Sequence, residues 1–268
     1  MVINRIAKLD RKKYLAEDSF RMIFYGPTGA GKTCYLFSLL NSEFVNRFRF
    51  VWCVSTNINF AQYKPYIWSD KFIAYDRVNE ITNKADPTSK IVNIIAEIKD
   101  LMERIKAKAE SSTDKEYVEK LKKIRALIIF DDCAASLNSK QVADFITYCR
   151  HYKISLIVLI QHHTNLTTTW KLNMSHILFF KQKEFQKRDF DAFGITITKA
   201  EYNKKIDATS DLTKHSVIIY SHQDLCFYYD DSDKDIIQKK YKMDFLLSTH
   251  SEIRNTLIKK YIADAAKK

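Results

Sequence analysis

Three of the chain's four glycines fall within six residues, in the run Gly26-Pro27-Thr28-Gly29-Ala30-Gly31-Lys32-Thr33. Glycine lacks Cβ and tolerates positive φ, so consecutive N–H groups in such a run can curl around phosphate oxygens. The spacing is G-x-x-x-x-G-K-[ST], that of a Walker A phosphate loop. Arg21-Met22-Ile23-Phe24-Tyr25 before it reads as a short buried strand. Cys34-Tyr35-Leu36-Phe37-Ser38-Leu39-Leu40 after it reads as a helix whose N-terminus faces the phosphates. A loop of this kind needs a strand on one side and a helix on the other, which restricts the chain to α/β folds.

The rest of the sequence agrees with that class. Of the 268 residues, 46% are hydrophobic, enough to bury the core of one large α/β domain. Apolar runs at 48–54, 71–75, 126–130, 154–160 and 176–180 read as further strands. Asp86-Pro87 marks a helix start, and Ile91, Ile94, Ile95, Ile98, Leu101, Met102 and Ile105 recur at helical spacing. A charged stretch at 106–123 reads as a solvated helix end, a turn at Ser111-Ser112 and a second helix; 140–152 reads as another helix. Strands alternating with helices predict a mostly parallel sheet covered on both faces. Residues 217–220 and 225–229 read as a late hairpin, with a helical tail from Ser232. The expected organisation is an N-terminal arm (1–20), a nucleotide-binding core (21–215) and a C-terminal hairpin and helical extension (216–268).

Five scattered cysteines with no C-x-x-C exclude a disulfide framework or zinc knuckle as the basis of the fold. The first 20 residues lack the apolar stretch of a signal peptide, and no apolar run reaches the ~18 residues of a membrane span. A soluble, cytosolic protein is expected. The net charge of +12 suits a polyanionic partner such as nucleic acid, although lysine-rich codon bias gives the same sign.

In a Walker loop, Lys32 reaches the β- and γ-phosphates of ATP and the Thr33 hydroxyl binds Mg²⁺. Asp131, at the end of an apolar run, is the expected second metal ligand. Asp132 beside it is a candidate for polarising the attacking water. Gln161 ends another buried strand, where open α/β sheets bind ligands, and its amide can report the γ-phosphate to the rest of the fold. Phosphoryl transfer also calls for a cation on the developing charge, often lent by a neighbouring subunit; Arg150 and Lys171 are the candidates. His151, His162 and His163 show no metal-ligand spacing. The loop Thr164-Asn165-Leu166-Thr167-Thr168-Thr169-Trp170, with Lys181, Lys183, Lys187 and Arg188, is a candidate contact for a phosphate backbone, or a solvated loop.

Several of these residues recur together in one family. Arg21-Met22 before the loop, Tyr66-Ile67-Trp68, Ile129-Phe130-Asp131-Asp132, Arg150-His151 ahead of Ile154-Ser155 and the strand to Gln161, then Asn173 and His176, resemble the poxvirus-type DNA-packaging ATPases, relatives of the FtsK/HerA translocases. The similarity runs over most of the chain, including Asp233-Lys234-Asp235. It implies a three-layer P-loop NTPase with a RecA/ASCE-like sheet containing an additional strand. It further implies a homo-oligomeric ring that uses Mg-ATP to drive double-stranded DNA into the capsid, docking on capsid or internal-membrane vertex proteins. The expected place is the host cytoplasm at the assembly site, and the virion. Lys171 stands where the family tends to carry arginine; lysine cannot make the bidentate phosphate contact, which shifts weight to Arg150. Two other readings stand beside this one: a P-loop transferase or kinase acting on small molecules or tRNA, and a slow ATP-binding assembly factor.

Overall fold

The inner strands, such as Ala126–Asp131 and Ile154–Ile160, are apolar almost throughout because both faces of the sheet are covered there. In a computed structural model, residues 5–14, 18–44, 47–55, 72–76, 87–180, 185–213 and 216–231 are described. Among them the strands are β1 (Ala7–Lys8), β2 (Arg21–Tyr25), β3 (Phe50–Ser55), β4 (Phe72–Asp76), β5 (Ala126–Asp131), β6 (Ile154–Ile160), β7 (His176–Phe179), β8 (Ser216–Ser221) and β9 (Cys226–Asp231). They form one sheet in the order β1-β9-β8-β7-β2-β6-β5-β3-β4. Pairing is parallel from β7 across to β4 and antiparallel at β7–β8 and β8–β9.

The helices are α1 (Arg11–Tyr14), α2 (Lys32–Asn41), α3 (Pro87–Ser111), α4 (Lys115–Lys122), α5 (Lys140–Tyr148), α6 (Thr168–Leu172), α7 (Lys187–Ala192) and α8 (Lys199–Asp207). Alternate strand residues feed two cores. Met22, Phe24, Leu127, Ile129, Ile157 and Leu159 pack with the apolar side of α2. Ile23, Tyr25, Ile128, Phe130, Val158 and Ile160 pack with the stripe of α3 that starts at Ile91. Side-chain caps fix several helix starts: Asp114 accepts from the Tyr117 N–H, Ser139 from Val142, and Thr198 and Glu201 form a capping box.

Three features go beyond the sequence expectations. The helix expected over 140–152 is α-helical only to Tyr148; a 3₁₀ turn follows at Cys149–Tyr152, and Lys153 closes it at φ 54°. Capping residues at Gln186 and Thr198 start α7 and α8, which apolar periodicity did not reveal. The arm before residue 20 supplies edge strand β1, which pairs with β9, and the late hairpin joins the same sheet through β7. The Asp86 cap, Tyr66-Ile67-Trp68, Asp233-Lys234-Asp235 and the expected helical tail lie outside the described residues.

A buried ionic knot ties these parts together. Asp230, 2% exposed, accepts from Arg11 Nε at 2.6 Å and from Tyr35 Oη at 2.6 Å, while Arg11 Nη2 donates to the Asp231 carbonyl at 2.7 Å. The front of the chain, β9 and the back of α2 therefore share one carboxylate. Asp230→Ala would leave a guanidinium and a phenol buried without their acceptor. The expected loss is about 3–5 kcal/mol, read as a shift in the denaturant midpoint.

Acid should also loosen the fold. His176, 1% exposed, has its pKa pushed down to about 4 by burial, against the opposing pull of Asp224. The unfolded chain then binds a proton near pH 6.5 that the folded chain takes up only near pH 4. Stability is fully present above pH 6.5 and falls through that window, by about 3 kcal/mol from this residue. Denaturation curves from pH 7.5 to 4.5 should show the fall, with a shallower slope in His176→Gln.

Candidate nucleotide site

β2 ends at Tyr25 and the loop begins against its two neighbours. The Gly26 N–H donates to the Ile160 carbonyl at 3.3 Å, and the Phe180 N–H donates to the Tyr25 carbonyl at 2.9 Å. A Cβ on Gly26 would stand 2.9 Å from Phe180 Cβ and 3.0 Å from the Phe180 carbonyl oxygen. Glycine is needed there for space. Gly31 is needed for conformation: at φ 94° it turns the loop into α2, whose N-terminus has no side-chain cap. The first amides of α2 are thus left for a ligand, the arrangement that binds phosphate.

Lys32 Nζ donates back to the carbonyls of Gly26 at 2.5 Å and Pro27 at 2.8 Å. Burial pushes its pKa down, while the nearby carboxylates of Asp131 and Asp132 pull it up. Asp131 is half-buried at the end of β5. Asp132 adopts φ 54°, and its N–H reaches back to the Leu159 carbonyl at 3.4 Å. That left-handed turn, easier for Asp than for most side chains, swings the carboxylate toward β6. Gln161 is there to meet it. Its Nε2 donates to Asp132 Oδ1 at 3.5 Å, and its Oε1 accepts from Thr28 Oγ1 at 2.9 Å. A carboxylate only accepts, which fixes the amide in this orientation.

Lys32, Asp131, Asp132, Thr28 and Gln161 therefore converge at the C-terminal edge of the sheet, with Thr33 in the first turn of α2. The Thr28 hydroxyl bond to Gln161 was not foreseen; nothing in the sequence alone ties those two side chains together. Arg150 lies elsewhere. It sits in the 3₁₀ turn ahead of β6, at the N-terminal edge, with the length of that strand between it and Gln161. Lys171 is on α6, where burial lowers its pKa, and its charge bears on His163.

The loop past Gln161 is only partly solvated: Leu166 and Trp170 are core residues, and Trp170 Nε1 donates to the Leu137 carbonyl at 2.8 Å. Lys187 and Arg188 are exposed on α7, whereas Lys181 and Lys183 fall outside the described residues. Among the described residues no group of three or more His, Cys, Asp or Glu side chains could hold a metal ion by itself. A cation here would need ligand oxygens as well as protein ones, and the hard oxygens of Thr33 and Asp131 suit Mg²⁺. No helix among the described residues is long and apolar enough to cross a membrane.

The family described as Poxvirus A32 protein matches residues 6–259. The chain belongs to that family. This A32-family chain is 25% identical over 255 residues to the DNA packaging protein OPG160 of vaccinia virus (strain Copenhagen), covering 92% of this chain and 87% of that one. It is also 25% identical over 259 residues to the variola virus protein of the same name, covering 92% and 88%.

Solved structures share the fold of the A32-family chain. ATPases 2 and 3 of EssC from Geobacillus thermodenitrificans align with a TM-score of 0.53 at 15% identity, covering 92% of this chain and 45% of that one. The genome packaging NTPase B204 from Sulfolobus turreted icosahedral virus 2, in complex with sulfate, aligns with a TM-score of 0.50 at 12% identity, covering 80% and 96%. The α/β sheet is that of a P-loop NTPase.

Gly26→Ala tests the space argument. The methyl would have to part β2 from β7 beside the loop, at a stability cost of about 1–3 kcal/mol. Binding of a fluorescent ATP analogue should weaken by about tenfold or more. Unchanged affinity would mean that the approach of Phe180 does not shape the site.

Proposed function

We propose that this chain is a Mg²⁺-dependent ATPase that moves double-stranded DNA during packaging of a viral genome. The observation that carries the proposal is the placement of Gln161. It ends the strand between the loop-bearing β2 and the Asp131-bearing β5, bonded to Thr28 on one side and Asp132 on the other. In the proposed reaction Lys32 leaves the two loop carbonyls for the β- and γ-phosphate oxygens. Thr33 and Asp131 would hold Mg²⁺, which supplies charge neutralisation on the phosphates when bound. Asp132 orients and polarises the attacking water, and Gln161 registers the γ-phosphate through its amide.

A cation for the developing charge is still required. Arg150 lies at the edge of the sheet opposite its own cleft, so its proposed role is in the cleft of a neighbouring copy. Head-to-tail contacts of that kind close into rings. Lys171 is the alternative, on α6, where its charge is felt at His163, two residues past Gln161. Duplex DNA would be gripped by exposed cations such as Lys187 and Arg188, in keeping with the net charge of +12. The naming of the vaccinia and variola relatives as DNA packaging proteins supports the choice of substrate. Capsid or internal-membrane vertex proteins in the host cytoplasm complete the proposed setting.

Lys32→Ala should reduce ATP turnover by about a hundredfold or more while leaving the melting temperature near wild type. Asp132→Asn should retain bound ATP with turnover lowered to a similar extent. Turnover measured against duplex length should rise with length, and the stimulation should weaken steeply as salt increases. A rate indifferent to DNA would remove the motor reading. Turnover that instead required a small-molecule or tRNA acceptor would favour a transferase.

A further inference from the structure

Behind the nucleotide cleft, on the opposite face of the sheet from α2, a second polar group is buried in aromatic surroundings. Asp189, 7% exposed, lies in the first turn of α7. Its Oδ2 accepts from the Gln186 N–H at 2.7 Å, and its Oδ1 accepts from Tyr25 Oη at 2.6 Å. His163 Nε2 stands 3.6 Å from that same Oδ1, just outside hydrogen-bond length. Phe179, Phe185, Phe190 and Phe193 wall the group, and the Tyr25 ring packs on Phe185 and Phe193. His163 Nδ1 is buried there without a hydrogen-bond partner.

Burying a carboxylate in such a box is expensive, and an apolar residue of similar size would serve packing as well or better. What the carboxylate adds is connection. Tyr25 is the last residue before the phosphate loop. His163 lies two residues beyond Gln161. Asp189 directly follows the exposed cations of α7, Lys187 and Arg188. One side chain thus joins the segment that holds phosphate, the segment that senses it and a segment proposed to meet DNA. The join is also incomplete as it stands: the tyrosine bond is made, and the histidine contact is open by a few tenths of an ångström.

We propose that Asp189 is a positioning residue through which movement of Gln161 on the γ-phosphate is passed, by closing or opening the His163 contact against the Tyr25 bond, to α7. The proposal rests on the nucleotide-binding reading above and adds the route by which that site communicates. None of Tyr25, His163 and Asp189 is among the residues proposed to hold the phosphates or Mg²⁺ or to orient the attacking water, so disturbing them should separate turnover from coupling.

The test uses the full chain and two variants, Tyr25→Phe and His163→Leu, chosen because Asp189 also caps α7 and its replacement could unfold that turn. Hydrogen exchange is followed with ADP and with a non-hydrolysable ATP analogue. In the wild type the analogue should alter protection at 26–33, 162–167 and 186–192. In both variants the response at 26–33 should persist and that at 186–192 should be lost. Unstimulated kcat and KM for ATP should stay within about twofold, while stimulation by duplex DNA falls about tenfold, the size of an ordinary coupling energy.

Wild-type coupling in both variants would overturn the proposal. So would a parallel fall of stimulated and unstimulated rates together with the melting temperature, the mark of a merely structural role. Absence of any response at 26–33 would instead defeat the nucleotide reading itself. Exchange coupling without DNA stimulation of the wild type would leave the tie standing and remove the choice of DNA as substrate.

Discussion

The arrangement depends on β6 pairing between β2 and β5. All three strands run parallel, with Tyr25 beside Ile160 and Asp131 beside Leu159, so they end at the same level. The phosphate loop, Gln161 and the Asp131-Asp132 pair are placed within reach of one another by that register alone. A one-residue slip of a strand would turn its end side chains to the opposite face. Continuous burial of β5 and β6 on both faces holds the register, because any slip would exchange the contents of two packed cores.

Electrostatics then refine what the register brings together. Lys32 lies in a place where burial works against its charge, and the two aspartates offset part of that penalty. Its ammonium is meanwhile satisfied by two loop carbonyls, bonds that phosphate oxygens can replace without stranding a buried charge. The left-handed turn at Asp132 has a similar character: local backbone cost is accepted so that a carboxylate meets the Gln161 amide. Thr28 completes the bridge from the far side.

The parts of this design written in short, contiguous patterns were legible in the sequence. The loop announced itself through three glycines in six residues, and the inner strands through apolar runs bounded by polar residues. The stripe from Ile91 to Ile105 gave α3. Contacts between distant segments left no such trace. Edge strand β1 is two residues long and acquires its pairing only from β9. Helices α7 and α8 are short and polar; their one sequence signal is a capping residue followed three positions later by an acid, at Gln186 and Asp189 and at Thr198 and Glu201. His163, which gives no sign of a partner in the sequence, meets Asp189 only because the turn after β6 folds over the end of β2.

The knot at Asp230 bears on how the molecule comes to be made. Arg11 and Asp230 lie 219 positions apart, so Arg11 and Tyr35 are synthesised well before the carboxylate they share. Until β9 is complete, Tyr35 on the back of the phosphate-loop helix has no acceptor and edge strand β1 has nothing to pair with. Contacts of such long sequence separation form late and slow the overall acquisition of structure. The helix that will carry the nucleotide is therefore sealed from behind only once β9 has been made, by a residue drawn from a distant part of the polypeptide.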